Sequence, residues 1–346
     1  MQGSKADKNI LVRADADSKI GLGHIKRCLA LCRELKRRRL KPEVIIKTPG
    51  KGARQLMRDE KVDFIVVPGN IGLKAEAERI ARIIKRRNSS RIVFDSYALD
   101  AAYLKGIASS GAKMMMLDDR NYISFPDVDY VVNGNSFAKK LKYRLRPGTK
   151  RYLGEDYYIM DRSYTGGKRK SPGKKAKRAA VCLSGVSVEV FNKLVHFLLE
   201  RFDMDLEIYF TLFQKDIAAK MKKLYGEKKR FSCFVNLSEK ELAKRLSRAD
   251  IAICTGGTIL YKAIASGCAV LGLPAVKEQK RNVLSLERKG SVLLVAIDGK
   301  KGVYPASKRK IADTINDYRK RRDMISAGMK LMDGKGAERV ADILLR

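Results

Sequence analysis

Twice along the chain a short apolar run is followed by an amphipathic stretch of helical period and then by another apolar run. In the first half the runs fall at 9–14, 43–47, 64–67, 91–94 and 113–117, with helical periodicity at 24–39, 51–60 and 74–87. Parallel strands need a crossover between them, and strands apolar on both sides must be covered on both faces. The pattern therefore predicts an α/β fold, a doubly wound parallel sheet of the Rossmann-like kind. A second series predicts strands at 180–183, 206–210, 231–235, 251–254 and 269–272, with helices at 188–201, 239–247 and 259–266. A length of 346 residues suits two such domains.

Between the two series, at 165–178 (TGGKRKSPGKKAKR), seven of fourteen residues are Lys or Arg and most of the others are Gly, Pro, Ser or Thr. This predicts a linker or exposed loop. The expected division is an N-terminal domain at 1–164 and a C-terminal domain at 179–346, with the last helix returning to pack on the first domain. Two doubly wound domains joined in this way are expected to face each other across a cleft, with ligands collecting beyond the carboxyl ends of the strands.

Lys and Arg number 74 against 38 Asp and Glu, a formal charge of +36, so the expected partners are anions. A hydrophobic content of 45% excludes a disordered polycation. Nucleic acid is not the expected partner, because Trp is absent, aromatics are only 7% and the basic residues are dispersed over helices. No apolar segment has the length of a signal sequence or membrane span, which predicts a cytoplasmic protein. Cys28, Cys32, Cys182, Cys233, Cys254 and Cys268 include no CxxC pair, so buried thiols are expected instead of a disulfide framework or a zinc site.

The loop after the first strand, 13–27 (RADADSKIGLGHIKR), carries the most chemistry. Gly21 and Gly23 open a helix whose unpaired N–H groups suit an anion, here a phosphate. The third glycine of the dinucleotide fingerprint is missing, so no nicotinamide or flavin cofactor is expected. His24 lies in the first turn, where the helix dipole disfavours imidazolium and a neutral ring can accept a proton from water. A capping or packing role fits the same spacing. Arg27 projects to the same side and is expected to stabilise a leaving group. His196 sits in an amphipathic stretch with no nucleophile nearby, and no GxSxG elbow is present, which argues against a serine hydrolase.

In the second half Gly256, Gly257 and Thr258 follow a strand and open a helix, which suits a diphosphate or an ordinary turn with Thr258 as N-cap. Asp118 and Asp119 raise the possibility of magnesium, but such neighbours commonly cap a turn and Arg120 can neutralise one of them; no metal is expected. Tyr97, just past a strand end, suits a sugar hydroxyl or a half-buried packing role.

Arg13, Asp15, Gly21, Gly23, His24 and Arg27, in the pattern R-x-D-x5-G-x-G-H-x-x-R, resemble the opening of a known family. It comprises the hydrolases of UDP-2,4-diacetamido-2,4,6-trideoxy-β-L-altropyranose, in the pseudaminic acid pathway, and their spore-coat polysaccharide relatives. Asp95-Ser96-Tyr97, Asp118-Asp119, Asn133-Gly134-Asn135, Leu153 to Tyr158, Gly256-Gly257-Thr258 and Gln279 with Asn282 follow in the family's order. The resemblance implies a GT-B-like architecture and metal-independent release of UDP from a UDP-activated amino sugar. In it His24 is the base that activates water, and Tyr97, Asn135, Tyr261 and Gln279 join the glycine loops in holding substrate. A GT-B glycosyltransferase and a non-catalytic nucleotide-sugar binder are the alternatives. Where such enzymes place a ribose-binding Glu this chain has Lys262, which has no acceptor and whose natural partner would be phosphate.

Overall fold

The computed structural model describes residues 8–16, 22–164 and 171–346, so Gly21 and the 165–170 part of the expected linker lie outside the described residues. The chain forms two compact units, 1–161 together with 335–346, and 162–334.

The first unit is built on a parallel sheet of seven strands, β1 (Asn9–Ala14), β2 (Lys41–Lys47), β3 (Asp63–Val67), β4 (Arg91–Asp95), β5 (Lys113–Leu117), β6 (Tyr130–Asn133) and β7 (Lys150–Leu153). Their spatial order is β3-β2-β1-β4-β5-β6-β7. The crossovers include α1 (Gly23–Arg37), α2 (Lys51–Asp59), α3 (Leu73–Arg87) and α4 (Ala101–Ala108). Along β1 the side chains alternate as a pleated strand requires. Ile10, Val12 and Ala14 join a core with Leu29 and Leu35 of α1, while Leu11 joins Ile80, Ile92 and Phe94 on the opposite face. That double burial is why the strand reads as a continuous apolar run.

Arg13 shares Leu11's face and is almost wholly buried, so its charge has to be matched locally. It pairs with Asp15 at 2.6 Å and Glu76 at 2.8 Å, and Asp15 also accepts from the Ser96 hydroxyl. The Arg13 and Asp15 of the opening motif thus tie the end of β1 to α3 and to the loop after β4. The C-terminal helix, Gly336–Leu344, belongs to this unit: Val340, Ala341 and Leu344 enter the α1 core, and Arg91 Nε donates to the Leu344 carbonyl at 2.8 Å.

The second unit repeats the plan with β8 (Arg178–Cys182), β9 (Asp205–Phe210), β10 (Phe231–Val235), β11 (Ile251–Cys254), β12 (Ala269–Gly272) and β13 (Val292–Leu294), ordered β10-β9-β8-β11-β12-β13 and all parallel. Around it lie α5 (Val188–Arg201), α6 (Lys215–Tyr225), α7 (Glu239–Leu246), α8 (Thr258–Ala265), α9 (Lys277–Glu287), α10 (Pro305–Asn316) and α11 (Tyr318–Leu331). Ser187 and Ser238 cap α5 and α7 by accepting from Val190 and Glu241. Among the described residues no helix is long and apolar enough to cross a membrane.

Candidate active site

In both sheets the first strand lies beside the fourth, and at that reversal the loops diverge and leave room beyond the strand ends. In the first unit Ala14 at the end of β1 pairs in register with Asp95 at the end of β4. The first turns of α1 therefore rise directly over Asp95. His24, Arg27 and Cys28, at the i, i+3 and i+4 positions of one helix face, all converge on its carboxylate. His24 Nδ1 lies 2.5 Å from Oδ1, Arg27 donates from Nε at 2.9 Å and from Nη2 at 2.6 Å, and Cys28 Sγ lies 3.4 Å from Oδ2.

Burial alone would push the Asp95 carboxyl up, but Arg27 and His24 beside it override that and hold it well below the usual carboxylate range. An ionised carboxylate can only accept, so Nδ1 of His24 carries a proton, and in the neutral ring the lone pair is the one on Nε2. Nε2 makes no hydrogen bond among the described residues. The ring is 6% exposed and stands edge-on to Tyr97, with centroids 4.4 Å apart and an interplanar angle of 84°. Sequence reasoning credited the helix terminus with preparing this imidazole, but Asp95 is what orients it.

Arg27 also spans to Asp119, with Nη1 at 2.9 Å and Nη2 at 3.1 Å. Asp119 accepts in addition from the Tyr97 hydroxyl at 2.9 Å and from Asn135 Nδ2 at 2.8 Å. Burial opposes ionisation there too, and again Arg27 prevails and keeps the carboxyl low. Three expectations change as a result. Arg27 is clamped between two carboxylates, which take four of its five N–H groups. The Tyr97 hydroxyl gives its proton to Asp119, so only its oxygen, as an acceptor, is left to meet a sugar. Asn135 spends its amide N–H groups on Asp119 and Asn133, leaving its carbonyl oxygen as the group that can meet a ligand.

Asp118 turns away from Asp119. It accepts from the Tyr143 hydroxyl and from the backbone N–H groups of Arg120 and Asn121, and burial pushes its carboxyl up. The two acids thus serve different networks, and among the described residues no group of three or more His, Cys, Asp or Glu side chains is placed to hold a metal ion. Gly134 lets the turn that carries Asn135 lie against the neighbouring backbone, since a Cβ there would come within 2.5 Å of Tyr158 Cα.

In the second unit Gly257 is the N-cap of α8 and Thr258 its first residue, so the expected N-cap shifts by one position. The Thr258 and Ile259 N–H groups and the Thr258 hydroxyl are unbonded among the described residues. They form the kind of terminus that accepts an anion. Gly256 is required for close approach, because a Cβ there would lie 2.4 Å from the Gln279 carbonyl oxygen. Gly256→Ala is therefore expected to cost about 1–3 kcal/mol by overpacking. Gly23→Ala, whose Cβ would meet nothing within 4 Å, is expected to change stability by less than about 0.5 kcal/mol. Urea denaturation of both variants checks the contrast.

Tyr261, expected at the substrate, is fully buried and donates its hydroxyl to Asn282 at 2.6 Å, while Asn282 Nδ2 donates to the Gly256 carbonyl at 3.1 Å. Both residues shape the loop from within. Gln279 Oε1 accepts from the Ala275 N–H at 2.8 Å, and its Nε2 lies beside Gly257. Lys262 pairs with Glu239 at 2.6 Å instead of standing ready for phosphate, and Tyr164 donates to the same carboxylate oxygen at 2.7 Å.

No family profile matches the chain. It is similar to the spore coat polysaccharide biosynthesis protein SpsG of Bacillus subtilis (strain 168), with 25% identity over 342 residues and 96% of each chain covered. Among solved structures, MurG of Acinetobacter baumannii aligns with a TM-score of 0.68 at 14% identity, covering 97% of this chain and 98% of that one. S. aureus MnaA, solved with UDP, aligns with a TM-score of 0.62 at 13% identity, covering 96% of this chain and 94% of that one. Together with the two parallel-sheet units, these likenesses show the architecture to be that of the GT-B glycosyltransferases.

Proposed function

We propose that this protein hydrolyses a UDP-activated amino sugar in polysaccharide or nonulosonic acid biosynthesis, with His24 as the base. One observation carries the reading: an imidazole is fixed through Nδ1 by a buried, ionised carboxylate, and its Nε2 makes no hydrogen bond among the described residues. In this mechanism Nε2 takes a proton from water as the water oxygen bonds to the anomeric carbon with inversion. The bond from that carbon to the diphosphate oxygen breaks, and UDP leaves with the electron pair. Asp95 stabilises the imidazolium that forms, as the acid of a His-Asp pair does. The N–H groups of the Gly256-Gly257-Thr258 loop suit the diphosphate. The biosynthetic role of SpsG and the UDP in the MnaA structure support the class of substrate. Cytoplasmic action fits a nucleotide-sugar substrate.

Likeness to GT-B glycosyltransferases favours a second reading, transfer of the same sugar to an acceptor hydroxyl. Incubation with the diacetamido-trideoxyhexose UDP-sugar and other UDP-amino sugars in ¹⁸O water separates the two. Hydrolysis at carbon is expected to place the label in released sugar without any acceptor. Label confined to the nucleotide phosphate overturns carbon–oxygen cleavage, and UDP release that requires an added acceptor favours transfer.

A further inference from the structure

We propose that Arg120 is the cation of the first unit that contacts substrate, taking an anionic oxygen from either the leaving diphosphate or a carboxylate on the sugar. This rests on the nucleotide-sugar reading above and assigns a residue that neither the opening motif nor the glycine loops contain. The starting point is that Arg27, the obvious candidate, has four of its five N–H groups committed to Asp95 and Asp119. A guanidinium has five N–H donors in a fixed fork, and the geometry of Arg27 commits that fork to the two carboxylates.

Arg120 presents the contrasting arrangement. Its backbone N–H donates to Asp118 Oδ1 at 3.1 Å, which fixes where the side chain begins. The guanidinium carbon lies 4.0 Å from the centroid of the Tyr97 ring, so the cation is held against the aromatic face. Tyr97 is fixed in turn by its hydroxyl on Asp119 at 2.9 Å and by its edge-on contact with His24. The ring that carries the cation is thus the ring that touches the proposed base.

Stacking uses the face of a guanidinium and leaves its N–H edge free, so the planar fork remains available for two parallel hydrogen bonds to phosphate or carboxylate. That edge makes no hydrogen bond or ion pair with any described residue. Asp119, the nearest acid in sequence, is saturated by Arg27, Tyr97 and Asn135, and Asp118 accepts from Tyr143, from Asn121 and, of Arg120, from the backbone N–H alone. A cation oriented beside the base, with its neighbouring acids otherwise engaged, is suited to an anion that arrives with the substrate.

The test compares the full chain with Arg120→Ala and Arg120→Lys by titration with UDP and with uridine, and by kcat/KM on UDP-sugars with and without a sugar carboxylate. If the diphosphate is the source, Arg120→Ala weakens UDP about 10- to 100-fold and leaves uridine unchanged. If the sugar is the source, UDP affinity holds and only carboxylate-bearing substrates lose kcat/KM, by a similar factor. Lysine restores part of either loss, because it keeps the charge and lacks the fork. Values for Arg120→Ala within about twofold of the wild type on every probe overturn the proposal. A wild-type chain that neither binds UDP nor turns over any UDP-sugar overturns the functional reading and this proposal with it.

Discussion

His24→Ala is expected to lower kcat on the cognate UDP-sugar by about 10²- to 10⁴-fold, the usual contribution of a positioned general base. UDP affinity is expected to stay within about twofold, because the imidazole acts on the attacking water and the interaction it loses belongs to the transition state. The protein should fold normally. Without the ring, Asp95 still accepts from Arg27 at two positions and from Cys28, so no buried carboxylate is left unpaired. Circular dichroism and a urea midpoint establish that point separately from the kinetics. Added imidazole is expected to restore part of the rate by entering the space the side chain vacates. A variant that retains more than about a tenth of the wild-type kcat refutes His24 as the base.

How far this site could be read in advance varies residue by residue. Period-2 alternation with burial on both sides made β1 legible as a run of apolar residues, and the glycines with a helical pattern behind them located the start of α1. Strand β7 was less accessible. Lys150–Leu153 is an edge strand of four residues, two of them exposed, and carries almost no apolar signal. Helix α4 is eight residues long and shows little periodicity.

The partners of His24 were hidden for a different reason. Asp95, which holds His24, is 71 positions away, and Asp119, which holds Arg27, is 92 from it; the pairing of β1 with β4 and of β4 with β5 brings their ends together. A signal did exist. In a doubly wound sheet whose first and fourth strands are neighbours, an acid at the end of the fourth strand faces the helix that follows the first. The conflict over Arg27, Tyr97 and Tyr261 has a common origin. Residue type and spacing reveal that a donor lies near the site but not whether a buried acceptor has already claimed it.

Asp95→Asn is the substitution expected to disturb the molecule most, because it exchanges an acceptor-only group for one with a single acceptor oxygen. The carboxylate receives donors on both sides, from His24 and Arg27 Nη2 on Oδ1 and from Arg27 Nε and Cys28 on Oδ2. Whichever way the amide turns, its NH₂ meets a donor. Either way an Arg27 N–H faces the NH₂ and the buried cation loses one of its two carboxylate partners; if the NH₂ takes the Oδ1 side, the His24 ring must also shift its proton to Nε2 and lose its basic position. Loss of the carboxylate charge predicts a loss of about 3–5 kcal/mol in stability in either orientation, and the tautomer shift a fall in kcat of about 10³- to 10⁴-fold, as for other His-Asp pairs. The pH dependence identifies the cause. A carboxyl held below its unfolded value contributes stability that is full above the ordinary carboxylate pKa and lost as the pH falls through the folded value. The stability gap between wild type and Asp95→Asn is therefore expected to be complete above about pH 5 and to narrow steadily below about pH 4. Asp118, whose shift has the opposite sign, is present in both proteins and cancels in the difference. Urea denaturation at neutral and acid pH measures the gap directly. A gap smaller than about 1 kcal/mol at pH 7, or one that persists undiminished in acid, refutes Asp95 as the charged hub that holds His24 and Arg27 in place.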